Sequence, residues 1–113
     1  MKAIDRDTLR RHLQDGTELI LIEALPRDSF EEFHLPGAVN VPLGSDFDER
    51  IGEVIPSKAT PVVVYCANTH CQASEKAGSR LEELGYREVY DYEAGKEDWR
   101  AHDLPTESSV ASG

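Results

Sequence analysis

Cys66, His70 and Cys71 are the residues of this chain whose types and spacing could do chemistry, and they share one short segment, VVVYCANTHCQ (62–72). Val62 to Tyr65 is a continuous β-branched run, the mark of a strand covered on both faces. A loop follows, then Ala73, Ala77, Leu81 and Leu84 form a helical stripe that Gly85 closes. Cys66 is thus expected at a strand end, facing the start of a helix. Unpaired N–H donors and the positive end of the helix dipole favour a negatively charged sulfur there. That placement predicts a Cys66 thiol with a lowered pKa and a nucleophilic thiolate. The plainer reading makes Cys66 a buried small hydrophobe at a strand end, the commonest fate of a free cysteine. The local pattern alone leaves both open.

The elements that would position this segment alternate along the chain. Asp5 caps a first helix through about Gln14, with Leu9 and Leu13 on one face and Gly16 as its stop. Leu19 to Glu23 reads as a buried strand, Arg27 to Phe33 as a short helix, and Val39 and Val41 flank a brief second strand. Phe47, Ile51 and Val54 mark a helix ended by Pro56; Glu88 to Tyr92 is another strand, and the last helix carries Trp99. Such alternation implies an α/β fold, a central parallel sheet with helices on both faces and right-handed crossovers. Sites in these sheets lie beyond the carboxyl ends of the strands, where Cys66 and Glu23 are expected. No internal repeat is present, so 1–105 reads as one domain, and 106–113, small and polar, as a disordered tail.

The segment LIEALPRDSFEEFHLPGAVNVP (21–42) resembles the opening signature of the rhodanese-like single-domain sulfurtransferase family. That family shows Asp-Val-Arg at a strand end, an acidic helix with an aromatic, and Gly-His-Ile-Pro-Gly-Ala-Ile-Asn-Ile-Pro. Here Phe30 takes the aromatic place, and 34–42 is a close match. VYDYEAGKEDW (89–99) resembles the closing pattern, a strand followed by Gly-Gly and a helix bearing Trp. Cys66 falls at the position of the family's sulfur-carrying cysteine. The resemblance implies a sulfurtransferase that moves a sulfane sulfur from a persulfide, polysulfide or thiosulfate to a thiol or cyanide through a Cys66 persulfide. It implies no metal and no organic cofactor. Its partners would be a small sulfur donor and a thiol acceptor or acceptor protein. The other reading is a non-enzymatic binding or redox-sensing module built on a Cys66/Cys71 dithiol.

Backbone amides of Ala67, Asn68, Thr69, His70, Cys71 and Gln72 are expected to hold the persulfide anion. Cys71 either attacks the sulfur on Cys66 as a resolving thiol or only packs under the first helical turn. A bridge would need Cα atoms within roughly 7 Å. His70 either stabilises the thiolate and donates a proton or is an exposed loop residue. His34, in the Pro-Gly turn, is expected to make a structural hydrogen bond, and Trp99 and Phe30 to sit in the core. The Cys66, His70, Cys71 spacing lacks the paired ligands of zinc sites, so no metal is expected. Related phosphatase loops end in an arginine that clamps the oxyanion, whereas this chain has Gln72, which argues against phosphoryl transfer.

Two departures bear on the donor. The loop carries no Arg or Lys, and Glu23-Ala24-Leu25 replaces Asp-Val-Arg. Thiosulfate, a dianion, is therefore expected to be a poor donor unless Arg27 or Lys96 reaches the site. The 113 residues carry 12 basic and 22 acidic side chains, a net charge of -10, which adds long-range repulsion. The same balance argues against nucleic acid and anionic membranes, whose binding rests on Lys and Arg. No apolar stretch approaches a membrane span, and the opening MKAIDRDTLRRH lacks the apolar core of a secretory signal. With two cysteines close in sequence, the expectation is a cytoplasmic protein with reduced thiols.

Overall fold

The computed structural model describes residues 1–108 and shows an all-parallel sheet flanked by helices. In chain order the elements are β1 Lys2–Ala3, α1 Arg6–Asp15, β2 Ile20–Glu23, α2 Arg27–Glu32 and β3 Val39–Asn40. They continue with α3 Phe47–Val54, β4 Val62–Tyr65, α4 Ala73–Glu83, β5 Val89–Tyr92 and α5 Gly95–Ala101. The strand order is β1-β5-β4-β2-β3, which puts β4, the strand leading to Cys66, in the centre. The α/β class and the helices on both faces are as the alternating pattern predicts.

Register lines up the strand ends. Glu23 pairs with Tyr65, and Tyr65 with Tyr92, so the last residues of β2, β4 and β5 form one row. Because side chains alternate across a strand, the two faces of this row differ. Ile22, Val64 and Val89 pack with Phe47 and Ile51 of α3 and Ala77 and Leu81 of α4. On the other face Leu21, Val63, Tyr65 and Tyr92 pack with Leu9 of α1 and Trp99 of α5. Burying both faces is why β4 reads as an unbroken apolar run.

The helix ends follow their local chemistry. The Asp5 carboxylate accepts from the Thr8 amide at 2.7 Å, and Gly16 closes α1 in the left-handed region at φ +69°. β1 has no counterpart in the sequence pattern: two exposed residues carry no alternation, and only pairing with β5 makes them a strand. The domain also runs past the expected boundary at 105. Glu107 forms an antiparallel bridge with His34, and its carboxylate accepts from the Gly37 amide at 2.9 Å. The start of the expected tail is therefore fastened to the Pro-Gly turn, and 109–113 lie outside the described residues. Among the described residues no helix is long and apolar enough to cross a membrane.

Candidate active site

Cys66 leaves the carboxyl end of β4 and is 1% exposed. Its sulfur sits 3.6 Å from the Ser74 hydroxyl in the first turn of α4, a donor–acceptor contact at sulfur range. The Ser74 backbone N–H also points to it, as expected of a helix N-terminus. The loop between them is braced from below by α5. The Lys96 and Glu97 amides donate to the carbonyls of Cys66 and Ala67 at 2.9 and 3.0 Å. Gly95 makes this approach possible. It lies at φ +76°, and a Cβ there would sit 2.5 Å from the Ala67 carbonyl carbon and oxygen.

The expected ring of loop amides is only partly available. Asn68 uses two of them itself: its side-chain oxygen accepts from His70 N–H at 2.9 Å, and its carbonyl from Cys71 N–H at 3.1 Å. Its own amide group reaches Glu97 at 3.2 Å. Thr69, His70 and Gln72 are exposed, Ala67 and Cys71 half-buried. His70 therefore stands in solvent, and no side-chain contact ties it to Cys66. Both cysteines are free thiols.

The Cys66 thiol is not pulled down as the strand-to-helix placement predicts. Burial pushes it above the ordinary value, and the neighbouring Cys71 thiol raises it further. The Ser74 hydroxyl and amide oppose these effects without reversing them. The helix terminus was legible in the sequence, which left a buried Cys66 open as the plainer reading, and the sulfur is found buried.

Two residues in the site were missed. Ser74 and Asp91 share with Thr69, Cys71, Glu75 and Glu93 the wall of a cavity of ≈ 200 Å³. Asp91 is 5% exposed, and its Oδ1 is buried without a hydrogen-bond partner. Burial raises its pKa, Ser74 lowers it, and the charges of Glu93 and Glu75 raise it further. A carboxylate inside the apolar strand VYDY was the available signal. A larger cavity of ≈ 320 Å³ runs from Ile4 and His12 to Pro61 and Glu88. It lies at the amino ends of the strands, away from the cysteines, where parallel sheets do not place their chemistry.

Neither candidate cation reaches the site. Lys96 is buried; its Nζ donates to Glu23 at 3.1 Å and to the carbonyls of Ser29 and Phe33 at 2.6 and 2.8 Å. Arg27 is held by Glu31 at 3.1 Å. Glu23, expected at the functional edge, is fully buried on the opposite face and belongs to this structural pair. His34 makes the expected structural bond, Nδ1 to the Phe30 carbonyl at 2.7 Å, with the two rings stacked at 3.7 Å. Trp99 is buried as expected, while Phe30 is half-buried. Among the described residues, no group of three or more His, Cys, Asp or Glu is placed to hold a metal ion.

The family model for the rhodanese-like domain matches residues 5–102. The chain belongs to the rhodanese-like family. Thiosulfate sulfurtransferase GlpE of Coxiella burnetii is 30% identical over 87 residues, covering 75% of each chain. The HTH-type transcriptional regulator Rv0324 of Mycobacterium tuberculosis is 29% identical over 98% of this chain, which spans 47% of that protein. The chain thus spans about half the length of that relative and three quarters of the other. A thiosulfate sulfurtransferase structure from Pseudomonas aeruginosa superposes with TM-score 0.85 at 27% identity, over 97% of this chain and 20% of that one. This rhodanese-like domain therefore has relatives named both as sulfurtransferases and as a regulator.

Proposed function

We propose that this rhodanese-like domain is a sulfurtransferase in which Cys66 carries a sulfane sulfur as a persulfide. The observation that carries the reading is the seat of Cys66: a free thiol at the end of the central strand, receiving the Ser74 N–H and braced by α5. The thiolate attacks the outer sulfur of a donor persulfide R–S–SH, forming Cys66–S–SH and releasing R–SH. An acceptor thiol R′–SH then takes that sulfur as R′–S–SH and returns Cys66 to the thiol. Both steps balance without oxidant, metal or organic cofactor. Because Cys66 is 1% exposed, the chain around it must move for a donor to reach its sulfur.

An organic persulfide or polysulfide is the preferred donor, in place of thiosulfate. No positively charged side chain lines the cavity at Cys71, whereas three carboxylates do. One missing charge-assisted hydrogen bond is worth roughly 1.5–3 kcal/mol, about tenfold to a hundredfold in rate if realised in the transition state. The partners are a small sulfur donor and a thiol acceptor or acceptor protein.

A second reading, a redox-sensing module, is favoured by one observation: the Cys71 thiol lies beside Cys66. Intact mass after incubation with glutathione persulfide separates the two. A gain of one sulfur on Cys66, released by cyanide and absent in Cys66→Ser, supports transfer. A loss of two hydrogens alone supports the dithiol sensor, and normal turnover in a folded Cys66→Ser variant would remove Cys66 as the carrier.

A further inference from the structure

A thiol cannot attack until its proton has gone somewhere, and the surroundings of Cys66 make that step hard. The sulfur is buried, and burial together with the Cys71 thiol keeps the proton on it. His70 stands exposed and offers no base at the sulfur. What the sulfur does touch is Ser74. The Cys66 S–H donates to the Ser74 hydroxyl oxygen at 3.6 Å, and Ser74 is 2% exposed.

A hydroxyl that accepts one hydrogen bond keeps its own proton to donate. Ser74 gives that proton to the Asp91 carboxylate, and the bond favours the ionised form of Asp91. Thiol, hydroxyl and carboxylate therefore form one hydrogen-bonded chain, and all three residues are buried. Asp91 pairs in the sheet with Val64, two residues before Cys66, and Ser74 comes from the first turn of α4. The register neighbours of Asp91, Ala3 on β1 and Val64 on β4, carry no charge. The charges that do act on it, Glu93 after β5 and Glu75 on α4, are both negative. A carboxylate among like charges and away from water is a stronger base than an ordinary one.

We propose that Ser74 and Asp91 are a proton relay for Cys66: the thiol proton passes to the Ser74 hydroxyl as the hydroxyl's own proton passes to Asp91. Ser74, which touches the reacting sulfur, is the catalytic member; Asp91 acts through it as a positioning residue. The proposal deepens the sulfurtransferase reading and rests on it. The step leaves the net charge unchanged, with a neutral Asp91 and a Ser74 hydroxyl that now donates to the thiolate. The thiolate attacks the outer sulfur of R–S–SH. The donor S–S bond breaks, its electron pair leaves on R–S⁻, and R–S⁻ takes a proton from water. In the return step the acceptor thiolate R′–S⁻, its own proton given to water, takes the outer sulfur as R′–S–SH. The Cys66 thiolate so released regains its proton from Asp91 through Ser74. Over the cycle one proton is taken from water and one is returned.

The relay has a pH signature that a purely structural acid lacks. While one proton is shared between Cys66 and Asp91, the fraction of thiolate does not change with pH. A thiol without the relay loses about tenfold of its thiolate for each pH unit below its pKa. The test follows iodoacetamide modification of Cys66, mapped by peptide mass, across pH. It uses the full chain carrying Cys71→Ala, so that the other thiol can neither take nor supply the proton. On the acid side of neutral the rate should flatten, falling by clearly less than tenfold per pH unit. Asp91→Asn and Ser74→Ala, each checked by circular dichroism, should both lose the flat segment and fall about tenfold per unit. The double variant should be no steeper than either single, because each change alone breaks the same chain. Should one variant not fold, the parent profile and the other variant carry the comparison. A tenfold fall per unit in the parent, or a flat segment that persists in the folded variants, overturns the relay. Loading with glutathione persulfide reads the transfer separately. Failure to gain a sulfur on Cys66 overturns the sulfurtransferase reading and the use of the relay in it; a loaded Cys66 with a steep profile overturns the relay alone.

Discussion

Glu23 and Asp91 are both carboxylates buried near the carboxyl edge of the same sheet, on opposite faces, and they are treated differently. Glu23 meets Lys96, which also donates to two carbonyls, and burial raises its pKa against the opposing pull of Tyr65 and Lys96. Asp91 meets a serine hydroxyl and two further acids and no cation, and each of the two carboxylates keeps one oxygen without a hydrogen-bond partner. A buried charge completed inside the protein holds elements together: Lys96 joins β2 and the α2 region to α5. Asp91 has no such cation, and Glu75 and Glu93 add like charge beside it at the cavity near Cys71. The two regions are coupled through α5, where Gly95 packs against the Cys66 loop and the next residue, Lys96, holds Glu23.

Removing Lys96 should show the largest difference between the two carboxylates. Lys96→Met leaves Glu23 buried without its cation and should cost about 3–5 kcal/mol in urea unfolding. Asp91→Asn, which removes a charge that has no cation, should cost far less. Similar losses in the two variants would end the distinction between an acid paired with a cation and one without.

Gly95→Ala tests whether the seam between the regions is as tight as its geometry. The new methyl meets backbone at 2.5 Å, and φ +76° is unfavourable for alanine. A loss of about 1–3 kcal/mol is expected, with faster alkylation of Cys66 as the loop loosens. A neutral effect on both would mean that α5 does not brace the site.

Burial raises the pKa of both acids, so the pH dependence has the same sign for both and the variants differ in their offset from the parent. Asp91 has a folded-state pKa above its ordinary 3.8, so its stabilising proton is fully bound below that value. That contribution is lost as pH rises through the folded pKa. Asp91→Asn has no such loss, so its stability relative to the parent should climb as pH rises from the ordinary 3.8 through the folded-state pKa. Glu23→Gln leaves Lys96 buried without its carboxylate and should stay below the parent throughout. A flat Asp91→Asn difference would show that the carboxyl is not held up by burial.

The smallest expected effect is on the Cys66 thiol itself. Burial and Cys71 raise its pKa, and Ser74 lowers it. The midpoint of iodoacetamide reactivity should therefore move to lower pH in Cys71→Ala and to higher pH in Ser74→Ala. Shifts of the opposite sign would mean that the two neighbours act by access alone.

The sequence by itself determined the elements other than β1, their order and the place of Cys66. Apolar runs such as Val62 to Tyr65, the Asp5 cap and the Gly16 and Gly85 stops are local signals. Local signals survive folding because the same residues make the contacts. The place of Cys66 between a strand and a helix was legible for that reason, and its resemblance to a family of known fold agreed with it. The partners of each charge were decided only in three dimensions. Lys96 and Glu23 are 73 residues apart, and nothing in either segment says that they meet. Asp91 comes to Ser74 because β5 lies beside β4 and Asp91 shares a sheet face with Val64 and Val89, a consequence of register that no local pattern carries. The raised Cys66 pKa has the same origin. A helix terminus can be read from spacing, but desolvation depends on what the whole chain packs around the sulfur.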